Sequence, residues 1–203
     1  MKKTTAYARK RAHLAINPKA SARLNHPVSV AYISNMFAKR MQKMHTAAAL
    51  HTYTGHDART ICDLIGAEAY IVLLGAAANG LADTPDARIV LGTAHALFDL
   101  HQNPEALERQ RPSILAGVQA LDRLQAQIHP LELAAAQMEM ERIVTTGGAI
   151  HIADLHDLRA ANHTARPASQ SAMTSEQAIR NVVAITHTID THKTQRARMA
   201  AHA

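Results

Sequence analysis

The chain has 203 residues, of which 41 are alanine, eight are glycine, six are aromatic and one, Cys62, is cysteine. Alanine is the best helix former, and no segment alternates as a strand would. We therefore predict an all-α fold, a single helical bundle of about six to eight helices with basic N- and C-terminal extensions. A lone cysteine excludes an internal disulfide framework, and no apolar segment reaches the roughly 20 residues of a membrane span. We expect a cytoplasmic protein with no membrane partner.

Charge is strongly segregated along the chain. Residues 1–56 contain ten Lys and Arg and no acidic residue, residues 57–157 contain 14 acidic and six basic residues, and residues 158–203 contain six basic and two acidic residues. Such asymmetry predicts a polyanionic partner for the basic ends. The predicted divisions of the chain are a basic arm (1–26), a helical bundle core (27–162), a linker (163–173) and a C-terminal helix with a basic tail (174–203).

The arm and the first predicted helix carry the basic charge of the N-terminal part. The cations of the arm are Lys2, Lys3, Arg9, Lys10, Arg11, Lys19 and Arg23. A helix is predicted from Pro27 to about Thr52, because apolar residues recur there every three or four positions. The expected buried stripe consists of Val30, Ile33, Phe37, Met41, Met44 and Ala48. Lys39 and Lys43 lie one turn apart on a different face, and Arg40 borders the stripe.

Two antiparallel helices are predicted between Asp57 and Gln102. Gly80 stands where a helix C-cap glycine would, and Thr84 and Pro85 supply an N-cap followed by a proline at the first helical position. The apolar residues of the second helix recur at helical spacing: Ile89, Val90, Ala94, Leu97 and Phe98. Each helix of this hairpin therefore has an apolar stripe that needs a partner.

Another helix is predicted after Asn103, with a proline inside its pattern. We expect Pro112 to break or kink it, because proline lacks the backbone N–H and clashes with the preceding turn. The regular part is then expected from Ser113 to about Ile128.

The following helix is predicted to begin at His129 and Pro130 and to end at Thr145–Gly148. Its glutamates, Glu132, Glu139 and Glu141, are expected to form an acidic face. After a short helix from Ala149 to about Asn162, residues 174–177 match a capping box, which predicts the start of the last helix. That helix continues into a basic tail with Lys193, Arg196 and Arg198.

The function indicated by the charge pattern is non-enzymatic association with nucleic acid, DNA or RNA, as in an accessory subunit of a nucleoprotein complex. Lysine and arginine neutralise phosphates and release counterions. The expected phosphate contacts are the seven cations of the arm, Lys39, Arg40 and Lys43, and the tail cations Lys193, Arg196 and Arg198. With six aromatic residues there is little material for base stacking, so binding to the backbone is expected.

A second interpretation is a protein-binding adaptor or inhibitor that acts through an acidic central surface. Its partner-binding residues would be Glu105, Glu108, Glu132, Glu139 and Glu141. A protein partner or a homo-oligomer fits this interpretation.

A third interpretation is a metal-binding bundle. His151 and Asp154, and likewise His187 and Asp190, are three positions apart, so each pair would lie on one face of a helix. No phosphate-binding glycine loop, nucleophile elbow or zinc-finger spacing is present in the sequence, so we assign no catalytic residue and no cofactor.

Overall fold

A computed structural model describes residues 26–54, 58–148, 151–160 and 173–201. These residues form a bundle of seven α-helices with one 3-10 turn and contain no strand. In chain order the helices are α1 (Pro27–Thr54), α2 (Ala58–Ala78), α3 (Pro85–Gln102), α4 (Leu107–Gln125), α5 (Pro130–Thr145), α6 (Ile152–Ala160) and α7 (Ser175–Ala201), with the 3-10 turn at Pro104–Ala106 before α4. The predicted all-α bundle is confirmed. None of these helices combines the length and the apolar character that crossing a membrane requires.

Helix α2 is the centre of the bundle. It contacts each of the other six helices, and every residue from Ala69 to Asn79 is buried. A helix that is apolar on all sides gains free energy only when it is surrounded, and the run Tyr70–Leu74 is apolar on all sides. Small residues in its second half, including Gly75, let neighbouring helices approach closely: a Cβ atom on Gly75 would lie 3.2 Å from the side chain of Ile128.

The turn between α2 and α3 has the predicted helix caps. Gly80 has φ 72°, and the bonds Leu81 N–H to Ala76 O (2.7 Å) and Gly80 N–H to Ala77 O (3.2 Å) form a Schellman motif. The Thr84 hydroxyl then accepts a bond from the N–H of Ala87, which caps α3. Both predictions for this turn are confirmed.

Helices α3 and α4 cross at very short distance. A Cβ atom on Gly117 would lie 1.9 Å from Thr93 Oγ1, so only glycine fits there. The Thr93 hydroxyl lies 3.0 Å from the carbonyl oxygens of Ile89 and Ser113, one on each helix. The expected break at Pro112 is not found: α4 runs without interruption from Leu107 to Gln125, so the regular helix begins before the predicted Ser113. Proline removes only its own backbone N–H, and the other hydrogen bonds of the helix remain.

The apolar stripes predicted for α1 and α3 differ in accuracy. In α1 the residues from Ile33 to Ala48 in the stripe are buried, and Val30 is half-buried. In α3, however, Ile89 is 39% exposed and Phe98 is 53% exposed. The helical period alone does not fix the width of the buried stripe of a helix, and these two residues lie at the margins of the stripe of α3.

Helices α5 and α7 begin with the caps expected from the sequence. The His129 ring accepts a bond from the N–H of Leu131 through Nδ1, at 3.2 Å. At the start of α7, Gln177 N–H donates to the Thr174 hydroxyl and the Gln177 side chain accepts from Thr174 N–H, which confirms the capping box. Helix α7 continues to Ala201, so the basic residues at its end are helical.

Candidate functional site

One face of α1 is exposed along most of its length and is uncharged or positive. We call it the α1 outer face; its residues are Val28, Tyr32, Asn35, Lys39, Lys43 and Thr46. They recur at spacings of three or four positions and therefore lie on one side of the helix. Tyr32 is 71% exposed. Helix α1 contains no acidic residue, and neither lysine forms an ion pair within the described part of the chain.

The surroundings of Lys43 include a small pocket between α1 and α2. Its volume is about 230 Å³, and Asp63 and Glu68 line it together with Lys43. Asp63 is exposed, whereas Glu68 is buried. Lys43 is therefore the lysine of the α1 outer face that lies closer to negative charge, and Lys39 is the more isolated cation.

Arg40, the third predicted cation of α1, faces the interior. Its guanidinium donates to Glu68 Oε2 at 2.5 Å and to Gln137 Oε1 at 2.8 Å, and it lies 5.2 Å from the centre of the Phe37 ring. Burial raises the pKa of Glu68, and the Arg40 charge opposes that rise. This ion pair joins α1 to α2 and α5, so Arg40 has a structural role that the sequence did not indicate.

The cations predicted at the C-terminus are also engaged. Asp154 of α6 is buried; its carboxylate accepts bonds from Lys193 Nζ at 2.9 Å and from Arg196 at 3.0 Å. The second Arg196 bond goes to Asp157, at 2.5 Å. Two of the three tail cations are thus neutralised by α6, and the third, Arg198, is exposed without an ion pair among the described residues.

The seven predicted cations of the arm, from Lys2 to Arg23, lie outside the described residues. Their assignment as phosphate contacts stays a prediction from the sequence.

The predicted acidic surface is not formed as expected. Glu132 is 0% exposed and Glu139 is 3% exposed, so neither can contact a partner, and the predicted acidic face of α5 is wrong for both. Glu139 pairs with Arg142 at 2.8 Å. Glu105, Glu108 and Glu141 are exposed.

Glu132 is a buried carboxylate held by amides. It accepts bonds from Asn79 at the end of α2 and from Asn181 of α7, the latter at 3.0 Å. Burial raises its pKa to about 7, and the bond from Asn181 opposes the rise. The three side chains connect the ends of α2 and α5 to α7. Burial without a partner is costly for a carboxylate, which explains why amides surround it.

The predicted metal candidates are not gathered into one site. Asp154 is committed to Lys193 and Arg196. His151 is exposed just before α6, whereas His187 and Asp190 are exposed on α7. Within the described residues no group of three or more His, Cys, Asp or Glu side chains could hold a metal ion.

A different pair of histidines does meet. His95 of α3 and His156 of α6 place their Nε2 atoms 2.7 Å apart. Their ring centres are 4.8 Å apart, and the ring planes are inclined by 54°. These residues are 61 positions apart. The pairing of α3 with α6 that creates the contact has no signal in the sequence.

A groove with a volume of about 370 Å³ lies between α2, α3, α5 and α6, and neither His95 nor His156 lines it. Its apolar lining includes Leu97, Phe98 and Val144, and its polar lining includes His101 and His151. Cys62 also lines the groove, where its thiol donates to the carbonyl oxygen of Leu97 at 3.2 Å.

A second cavity, of about 390 Å³, separates α1 from the junction of α4 and α5. His129 and Gln125 contribute polar groups to it, and Gln125 Oε1 is buried without a hydrogen-bond partner among the described residues. Burial lowers the pKa of His129, which keeps its ring neutral and able to cap α5.

No family model matches the chain, and no curated protein or solved structure is significantly similar to it. Inferences about function therefore depend on the residues of this chain alone.

Proposed function

We propose that the protein is a non-enzymatic, cytoplasmic nucleic-acid-associated protein, such as an accessory subunit of a nucleoprotein complex, that contacts the phosphate backbone through the α1 outer face. The observation that carries the proposal is the composition of this face: two exposed lysines, an exposed tyrosine and an asparagine, with no carboxylate on the helix. Lysine, tyrosine and asparagine are side chains that donate hydrogen bonds to phosphate oxygens.

The geometry of the face suits a linear polyanion. From Val28 to Thr46 it extends about 27 Å, at 1.5 Å per residue. Lys39 and Lys43 are separated by about 6 Å along the helix axis. The basic arm, residues 1–26, precedes this helix directly in sequence, so its cations would add to the same contact.

The mode of binding expected from this surface is recognition of the backbone with little sequence preference. Tyr32 is the exposed aromatic residue of the face, and one ring offers a single stacking position. Contacts with phosphate oxygens require neither a helix end inserted into a groove of the nucleic acid nor a second aromatic side chain for base stacking.

The test is binding of the full chain to labelled duplex DNA and to single-stranded RNA between about 50 and about 300 mM salt. The decisive variant is Lys39→Gln/Lys43→Gln. For duplex DNA we expect weaker binding and a log–log salt slope that is shallower by about 1.8, since each lost phosphate contact removes about 0.9.

The matched control is Arg88→Gln/Arg180→Gln, which removes two exposed cations from other helices and changes the net charge equally. It should bind almost as the wild type does. Equal losses in both variants would mean that net charge, not this surface, attracts nucleic acid. No binding by the wild type at the lowest salt would refute the proposal, and deletion of residues 1–26 measures the share of the arm.

A further inference from the structure

We infer that His95 and His156 form a binding site for a divalent transition-metal ion such as Zn²⁺, where α3 and α6 meet. The inference is independent of the proposed nucleic-acid contact, which uses a different helix. It rests on the convergence of two metal-ligating atoms from two helices, with Nε2 atoms 2.7 Å apart.

The distance between the two nitrogens is close to that in a metal site. Two nitrogens bound at about 2.0–2.1 Å to a tetrahedral zinc ion lie about 3.3 to 3.4 Å apart. The rings would have to separate by about 0.6 Å. Both side chains are exposed, so small rotations about their side-chain bonds can supply this movement without disturbing the core.

The identity of the ligands defines the class of metal. Neutral imidazole nitrogen is a preferred ligand of zinc, copper and nickel, whereas magnesium and calcium prefer oxygen. The same atom, Nε2, converges from each ring. A metal ion there would join α3 to the short helix α6, replacing a contact in which one ring donates a hydrogen bond to the other.

The protein supplies two ligands and leaves the other positions open. Asp99, one turn after His95, accepts bonds from Arg109 and Gln110 at 3.1 and 2.8 Å. Asp157, next to His156, pairs with Arg196. These carboxylates are engaged elsewhere, so water or a small anionic ligand from solvent would complete the shell.

The experiment is calorimetric titration of the tag-free full chain with ZnCl₂ and NiCl₂ at about pH 7.5, followed by thermal melting. One metal ion per chain is expected. The melting temperature should rise by about 4 °C when free metal exceeds its Kd tenfold.

The variants His95→Gln and His156→Gln should each abolish this binding, and His187→Gln, which removes an exposed histidine of α7, should leave it unchanged. Circular dichroism checks that each variant is folded. Absence of binding by the wild type, or binding that survives in the double variant, would overturn the inference. If His101→Gln or His151→Gln lost metal binding while His95→Gln and His156→Gln kept it, the metal site would lie in the groove. That result would also overturn the inference.

Discussion

Helices α1 and α7 have almost the same length, 28 and 27 residues, and both are basic, but the cations predicted to contact phosphate are paired to different extents in the two helices. In α1 one cation, Arg40, faces inward and two lysines face solvent without a carboxylate partner in the described structure. In α7 Lys193 and Arg196 are held by the carboxylates of α6. The availability of a basic side chain to a polyanion therefore depends on whether a carboxylate already pairs with it.

The largest expected effect comes from Arg40→Ala, which tests the inward cation of α1. It would leave the Glu68 carboxylate, whose side chain is 6% exposed, buried without its cation. Breaking one side of a buried pair typically costs about 3–5 kcal/mol, and we expect a loss in this range in urea unfolding at neutral pH.

The matched control is Lys39→Ala in the same helix, which should change the free energy of unfolding by less than about 0.5 kcal/mol. The double variant Arg40→Ala/Glu68→Gln should recover much of the loss, because no buried charge remains. Equal effects of Arg40→Ala and Lys39→Ala would remove the distinction between inward and outward cations in α1.

The next effect concerns Glu132, a buried carboxylate near α7 that has amide partners in place of a cation. Its pKa is raised from 4.5 to about 7, so the unfolded chain releases this proton at lower pH than the folded chain. The group therefore reduces the free energy of unfolding as pH rises from about 4.5 to about 7, by on the order of 3 kcal/mol.

The measurement is the difference between wild type and Glu132→Gln in chemical unfolding across this pH range. Other groups titrate in the same range, and the difference isolates Glu132. The wild type should lose stability relative to the variant as pH rises. Parallel pH profiles would show that Glu132 is solvated or paired in a way that its contacts with Asn79 and Asn181 do not indicate.

Asp154→Asn tests the paired cations of α7, Lys193 and Arg196. The asparagine oxygen can still accept the bond from His151 N–H, but the charge-assisted bonds from Lys193 and Arg196 are lost. We expect a loss of about 2 kcal/mol, because the two cations can be solvated and the loss is smaller than for an unpaired buried carboxylate. Asp99→Asn, an exposed carboxylate with its own partners, should cost less than about 1 kcal/mol.

The double variant Asp154→Asn/Asp157→Asn addresses availability directly. It releases Lys193 and Arg196 from α6, so for duplex DNA the log–log salt slope should become steeper by up to about 1.8. If the slope were unchanged in a folded variant, the ion pairs with α6 would not be what keeps Lys193 and Arg196 from DNA. The proposed difference between α1 and α7 would then be wrong.

Local patterns in the sequence predicted most of the fold. The Schellman turn at Gly80, the cap at Thr84 and the capping box at Thr174 depend on a few adjacent residues, so they can be read without tertiary information. The stripe of α1 was also correct, because a helix that packs on one side has a narrow apolar face.

The candidate site was less predictable, since it depends on which helices meet. Arg40 and Glu68 are 28 positions apart, and Asp154 and Arg196 are 42 apart. Helical periodicity assigns each residue to a face of its own helix and does not say which helix covers that face. For the same reason Glu132 was assigned to a solvated acidic face when it lies in the interior.

The central position of α2 has a consequence for the synthesis of the chain. Helix α2 is covered in part by α7, whose 27 residues are the last ones of the described chain. Helix α2 ends at Ala78 and is synthesised long before α7. Until α7 has left the ribosome, one of the helices that cover α2 is missing. A nascent chain that stops before α7 would therefore expose part of the apolar surface of α2 to chaperones and proteases.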